Sequence, residues 1–132
     1  LVGGDFSNKT IGILGLAFKP NTDDVRESSS IEMIEVILEG GGMVNAFDPV
    51  ANESMKLFFP NLNYCDSWET ACNNTDAVAI MTEWNEFRGL NLGELKSIMK
   101  SPTILDTRNI LSMEKLNEHG FKYDNVGRIK AL

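Results

Sequence analysis

The chain has 132 residues, 42% of them hydrophobic, with 12 basic against 19 acidic side chains and a net charge of −7. That balance suits one soluble globular domain and excludes the broad basic surface that nucleic acid or an anionic membrane demands. Two cysteines and one histidine give neither metal-ligand spacing nor a disulfide framework, and no apolar run approaches the ~20 residues that cross a bilayer.

With no signal-peptide pattern in LVGGDFSNK, the expected setting is cytoplasmic, with two reduced thiols and a single domain over residues 1–132. An acidic protein can still hold a phosphate through a few well-placed cations, so each Lys and Arg matters.

Thr10–Gly15 (TIGILG) predicts a short strand buried on both faces, followed by polar turn residues from Lys19 to Asp24. A helix is predicted from Ser28 to Glu39. Its Ile31, Ile34, Val36, Ile37 and Leu38 largely keep to one side, Ser28–Ser30 supply a cap and Gly40–Gly42 stop it. Met43–Phe47 reads as a strand closed by the Asp48-Pro49 turn, and a short helix over Asn52–Phe58 precedes Pro60. A capped helix runs from Ser67 to Cys72, then a buried strand over Asp76–Met81 and a helix over Leu92–Met99. Pro102–Leu105 is another buried strand, Ser112–His119 a helix stopped by Gly120, and Phe121–Val126 the last strand. Short apolar strands alternating with helices predict an α/β fold. We expect a doubly wound, mostly parallel sheet of five or six strands with helices on both faces, Rossmann-like but without GxGxxG.

In such sheets ligands sit at the carboxyl ends of the strands. After the first strand the chain reads Gly12-Ile13-Leu14-Gly15-Leu16-Ala17, so bulky residues stand where a backbone must approach a pyrophosphate. The loop instead offers Lys19 and Arg26 around Asp23 and Asp24, either as an anion grip or as a solvated loop whose charges pair internally. Asp106-Thr107-Arg108-Asn109 supplies another acid–Arg pair or a plain turn before the next helix. Trp84 and Phe87 pack in a core or interface rather than stack on a base, and Asp48 closes a turn or holds a ribose hydroxyl. Cys65 and Cys72 lack an activating setting, and one histidine near the chain end gives no Ser–His–Asp arrangement. No catalytic or metal-binding residue is assigned; the loops support binding.

The stretch GLAFKPNTDDVRESSS (Gly15–Ser30) resembles the opening of the C-terminal domain of the UDP-glucose/GDP-mannose dehydrogenase family. FDPVA at Phe47–Ala51, TEWNEF at Thr82–Phe87 and DTRN at Asp106–Asn109 extend the resemblance over about Lys9 to Val126. It implies the nucleotide-sugar-binding part of an enzyme that oxidises a sugar-nucleotide alcohol twice with NAD. UDP-glucose is favoured; GDP-mannose, UDP-N-acetylmannosamine and a non-catalytic nucleotide-binding module are the alternatives. The resemblance also implies an N-terminal domain of the same polypeptide that binds NAD and carries the catalytic cysteine, with a central helix that dimerises. By position it assigns Phe18, Lys19 and Arg108 to the sugar nucleotide and Arg26 to NAD held on the other domain. Thr107 stands where sugar-nucleotide members often have Gly.

Overall fold

The computed structural model describes residues 6–125. Six strands form one sheet in the order β3-β2-β1-β4-β5-β6: β1 Thr10–Leu14, β2 Met43–Phe47, β3 Asn63–Tyr64, β4 Ala77–Ile80, β5 Thr103–Asp106 and β6 Lys122–Asn125. Every neighbouring pair is parallel. The predicted final strand is therefore present, and its last expected residue, Val126, lies outside the described residues. Between the strands run α1 (Ser29–Glu39), α2 (Asn52–Met55), α3 (Trp68–Cys72), α4 (Asn85–Arg88), α5 (Leu92–Ile98) and α6 (Met113–Glu118).

Parallel strands need crossovers of one hand. The chain moves outward from β1 to β3, then returns past β1 to β4 and runs the other way, so α1 and α3 fall on opposite faces. Ile13, Leu14, Val78, Ile80 and Ile104 are completely buried at the sheet centre, as the continuous apolar strands predict. Helix α1 buries Ile34 and Ile37 but leaves Val36 53% and Leu38 41% exposed, so its apolar stripe is wider than the surface the described residues cover. Ser28 caps α1 by accepting from the Ser30 amide, and Ser67 caps α3 by accepting from the Thr70 amide.

Two elements escape the sequence reading. Strand β3 has only two residues, too few for periodicity; it is fixed from outside, with Asn63 Nδ2 donating to Asn45 Oδ1 and the Tyr64 hydroxyl donating to Phe59 O. Helix α4 falls between the predicted strand over Asp76–Met81 and the predicted helix over Leu92–Met99, and its four residues give one turn with no side-chain cap.

Gly15 follows β1 at φ 103°, and a Cβ there would sit 2.5 Å from Thr82 Oγ1. Gly15→Ala should cost ~2 kcal/mol or more, since both the backbone and the neighbour must shift; chemical denaturation measures it. Burial, reinforced by Glu53, pushes the Tyr64 hydroxyl up from 10.0 to about 12. A group whose pKa is raised by folding stabilises fully below its unfolded pKa, and that contribution is lost as pH climbs through the folded one. Tyrosinate absorbance should show Tyr64 ionising late, with stability declining between those two values.

Candidate functional site

The site grows from the point where β1 and β4 lie side by side but lead their chains in opposite directions, the crevice where ligands enter such sheets. Immediately after β1 the backbone is tied on every side. The Gly15 amide donates to Phe47 O at 2.8 Å, and Gly15 O accepts from Ser30 Oγ at 2.8 Å. The Leu16 and Ala17 amides donate to Asp48 Oδ2 at 2.8 and 3.0 Å, while Ala17 O accepts from Thr82 Oγ1 at 2.8 Å. Phe18 N then donates to Asp24 O at 2.7 Å, closing the following loop on itself.

Asp48 is 2% exposed and gathers more than this loop. Its Oδ2 also accepts from Trp84 Nε1 at 3.0 Å, and its Oδ1 accepts from the Val50 and Ala51 amides at 2.9 and 3.0 Å. A carboxylate offers about four lone-pair positions, and five N–H donors occupy them here. Of the two sequence readings of Asp48 the turn holds, through Oδ1 and the Val50 and Ala51 amides, but the carboxylate does more than close it, and its five donors leave no acceptor for a ribose hydroxyl. Trp84 and Phe87 are buried as expected, with the Phe87 ring edge-on to Phe47 at 6.1 Å.

The predicted binding residues fall into separate settings. Phe18 is 42% exposed and Lys19 is also exposed, both projecting from the tied loop. Arg26 is forked onto Asp24, with Nε to Oδ1 at 3.0 Å and the second terminal nitrogen to Oδ2 at 2.9 Å, yet 80% of its side chain meets solvent. That hydrogen bonding holds the Asp24 carboxyl below 3.8, with the Arg26 charge adding to it. Asp23 is simply exposed.

At Asp106–Asn109 the sequence leaves an acid–Arg pair or a plain turn open, and the turn is present. Asp106 is fully buried and serves the backbone, accepting from the Arg108 amide at 3.1 Å and the Leu111 amide at 2.8 Å. The Arg108 guanidinium uses Nε to reach Met81 O at 3.0 Å, with Glu83 Oε1 3.8 Å away and both ionic side chains one-third exposed.

Two grooves flank this pair. One of about 520 Å³ runs between α1 and the end of β5, lined by Ser29, Met33, Val36, Leu105, Thr107 and Arg108. The other, about 310 Å³, lies over the switch point between Pro20, Asn21, Pro49, Glu83, Trp84 and Arg88. Phe18 and Lys19 line neither. Asn21, Glu27 and Asn109 take positive φ values of 66°, 62° and 56° in the same strand-end loops, where such strain tends to collect at functional sites. Sequence reasoning missed Arg88, Ser30 and Thr82. The two hydroxyls look like ordinary cap and strand-end residues until the fold brings them to Gly15 and Ala17.

Burial pushes both thiols upward, Cys72 the more strongly, which disfavours the nucleophilic thiolate. Burial, with Glu69 and Asp48 adding to it, also raises Glu86. Among the described residues no three His, Cys, Asp or Glu side chains are grouped for a metal, and no helix is long and apolar enough to cross a membrane.

Residues 12–113 match the model of the UDP-glucose/GDP-mannose dehydrogenase family, UDP binding domain. The UDP-glucose 6-dehydrogenase of Rhizobium meliloti (strain 1021) is 40% identical over 126 residues, covering 96% of this chain and 29% of that protein. That of Rickettsia conorii is 45% identical over 129 residues, covering 96% and 30%. The chain thus spans under a third of the length of these relatives. Among solved structures, the UDP-glucose dehydrogenase of the hyperthermophilic archaeon Pyrobaculum islandicum superposes with a TM-score of 0.76 at 30% identity, over 92% of this chain and 26% of that one. Tied loop, switch-point crevice and family match agree, and the chain belongs to the UDP-glucose/GDP-mannose dehydrogenase family, whose UDP-binding domain it carries.

Proposed function

We propose that residues 1–132 are the C-terminal, nucleotide-sugar-binding domain of an NAD-dependent UDP-glucose 6-dehydrogenase, which oxidises UDP-glucose to UDP-glucuronate in two NAD-dependent steps. The observation that carries this is the exposed Phe18–Lys19 pair, launched from a fully hydrogen-bonded loop at the switch point of the sheet. A loop pinned in this way presents a cation and an aromatic face in one place with little ordering cost on binding. Lys19 meets a phosphate or sugar hydroxyl, Phe18 covers an apolar face of the ligand, and Arg108 approaches from the neighbouring strand end. The names of the relatives at 40% and 45% identity support UDP-glucose. GDP-mannose and UDP-N-acetylmannosamine remain the alternative substrates, the latter because a UDP-D-ManNAc dehydrogenase of Pyrococcus horikoshii superposes with a TM-score of 0.76 at 28% identity.

NAD does not fit the β1–α1 turn of this chain. Leu16 and Ala17, whose amides would face a pyrophosphate, are buried and already donate to Asp48. In our reading NAD is bound by an N-terminal domain of the same polypeptide, and Arg26, largely in solvent, extends to it across the cleft. The full-length protein is read as a cytoplasmic homodimer. The isolated domain is inactive, because a double oxidation that passes through a covalent thiol adduct needs an accessible thiolate and both cysteines here are buried.

Calorimetry of the chain with UDP, UDP-glucose, GDP-mannose and NAD should show heat for the uridine ligands and none for NAD; binding of NAD alone would sink the division of labour. Lys19→Ala and Arg108→Ala should each lose ~1–3 kcal/mol of sugar-nucleotide recognition in the full-length enzyme, seen in kcat/KM. Arg26→Ala should raise the KM for NAD more than that for the sugar nucleotide.

A further inference from the structure

We propose that the Asp48 carboxylate and the Trp84 indole form a positioning pair that fixes the Phe18–Lys19 loop relative to the Glu83–Arg108 contact, and so sets the geometry of the nucleotide-sugar site. The inference rests on the reading of that site given above and adds to it two residues whose polar side-chain atoms are committed to the protein itself.

A buried carboxylate is costly unless its charge is met by hydrogen bonds or a cation. Closing the local turn accounts for only the Val50 and Ala51 amides on Oδ1. The other oxygen is given over to partners 31, 32 and 36 residues away: Ala17, Leu16 and Trp84. A turn does not require that second set, whereas a joint between two loops does.

From the joint, the covalent chain carries position outward in both directions. Ala17 lies two residues before Lys19. Trp84 directly follows Glu83, which stands 3.8 Å from the Arg108 guanidinium. The indole is held from the helix side as well, because Trp84 is the N-cap residue of α4 and Phe87, one turn on, packs edge-on against Phe47 at the end of β2. Thr82 adds a parallel tie to Ala17 O. The result is a triangle of strand ends, β1, β2 and β4, with one carboxylate oxygen at its centre.

Asp48→Asn replaces one acceptor oxygen by an amide donor, and Trp84→Phe removes the indole donor together with part of the ring while keeping an aromatic side chain. Gly12→Ala serves as the comparison. It crowds Ala71 O at 3.0 Å under α3 and lowers stability without touching the network. The readouts are the dissociation constant for UDP by calorimetry and the exchange rates of the Leu16 and Ala17 amides by NMR. We expect Asp48→Asn to weaken UDP about tenfold or more and to speed exchange at both amides, as loss of a charge-assisted bond of ~1.5–3 kcal/mol predicts. Trp84→Phe should weaken UDP about fivefold while leaving the two amides slow, since Asp48 still holds them and the cost is one hydrogen bond of ~1 kcal/mol. Gly12→Ala should lower the melting temperature and leave the UDP constant unchanged.

A UDP dissociation constant unchanged in both network variants, or raised equally by Gly12→Ala, overturns the proposal. Should Asp48→Asn fail to fold, Trp84→Phe decides the matter on the same criterion. If the unsubstituted chain binds no UDP, the nucleotide-sugar reading fails and takes the ligand geometry with it. The joint itself is then judged by exchange, and fast exchange at Leu16 and Ala17 in the unsubstituted chain overturns that too.

Discussion

The structure turns on one carboxylate placed where three strand ends meet. Asp48 sits at the end of β2 almost out of water, and its negative charge is distributed over N–H donors from the β1 loop, the β2 turn and the β4 loop. Such a group is stabilising only while every donor is in place, because a buried carboxylate that loses partners retains its full desolvation penalty. The arrangement therefore makes the ligand end of the sheet cooperative. It also explains why the β1–α1 turn of a doubly wound sheet is here unavailable to a pyrophosphate: the amides that would cradle it are already committed to an internal anion.

In a chain with a net charge of −7, the proposed anion site depends on separating cations from carboxylates rather than on adding basic residues. The loops achieve this unevenly. Lys19 is exposed, Arg26 is forked onto Asp24, and Arg108 is steadied at Nε by a backbone carbonyl and by Glu83. Arg26 remains solvent-exposed despite its partner, and exposed pairs of this sort hold weakly against an incoming dianion. Arg108 is the more rigid of the two. Its long contact with Glu83 is orienting more than neutralising.

Much of the fold was legible in the sequence, because buried parallel strands are continuous apolar runs and Gly, Pro and Ser punctuate them. TIGIL, DAVAIM and PTIL fall within a residue or two of β1, β4 and β5. What escaped was short or relational. Two residues of β3 and four of α4 carry no period, and their positions are set by partners distant in sequence. The same holds at the site. Lys19, Arg26 and Arg108 announce themselves as cations at strand ends, whereas the network that places them is built from Asp48, Thr82, Ser30 and Trp84. These look like a turn, a cap and a core aromatic when read locally. Asp106 follows the same pattern: of its two sequence readings the local turn is present, through the Arg108 amide, and Asp106 also accepts from the Leu111 amide five residues on.

The strand order has a kinetic corollary. The central strand β1 lies between β2 and β4, and the tie from Thr82 to Ala17 spans 65 residues. No hairpin or local helix can preassemble those contacts, and topologies dominated by such long closures fold slowly. The crevice thus comes into being only when β4 has docked on β1. A nucleotide that binds there recognises completed assembly alone, and at about a hundred times its dissociation constant it favours that state by ~2.7 kcal/mol. If the nucleotide binds at that crevice as proposed, its concentration becomes part of the folding equilibrium of the chain.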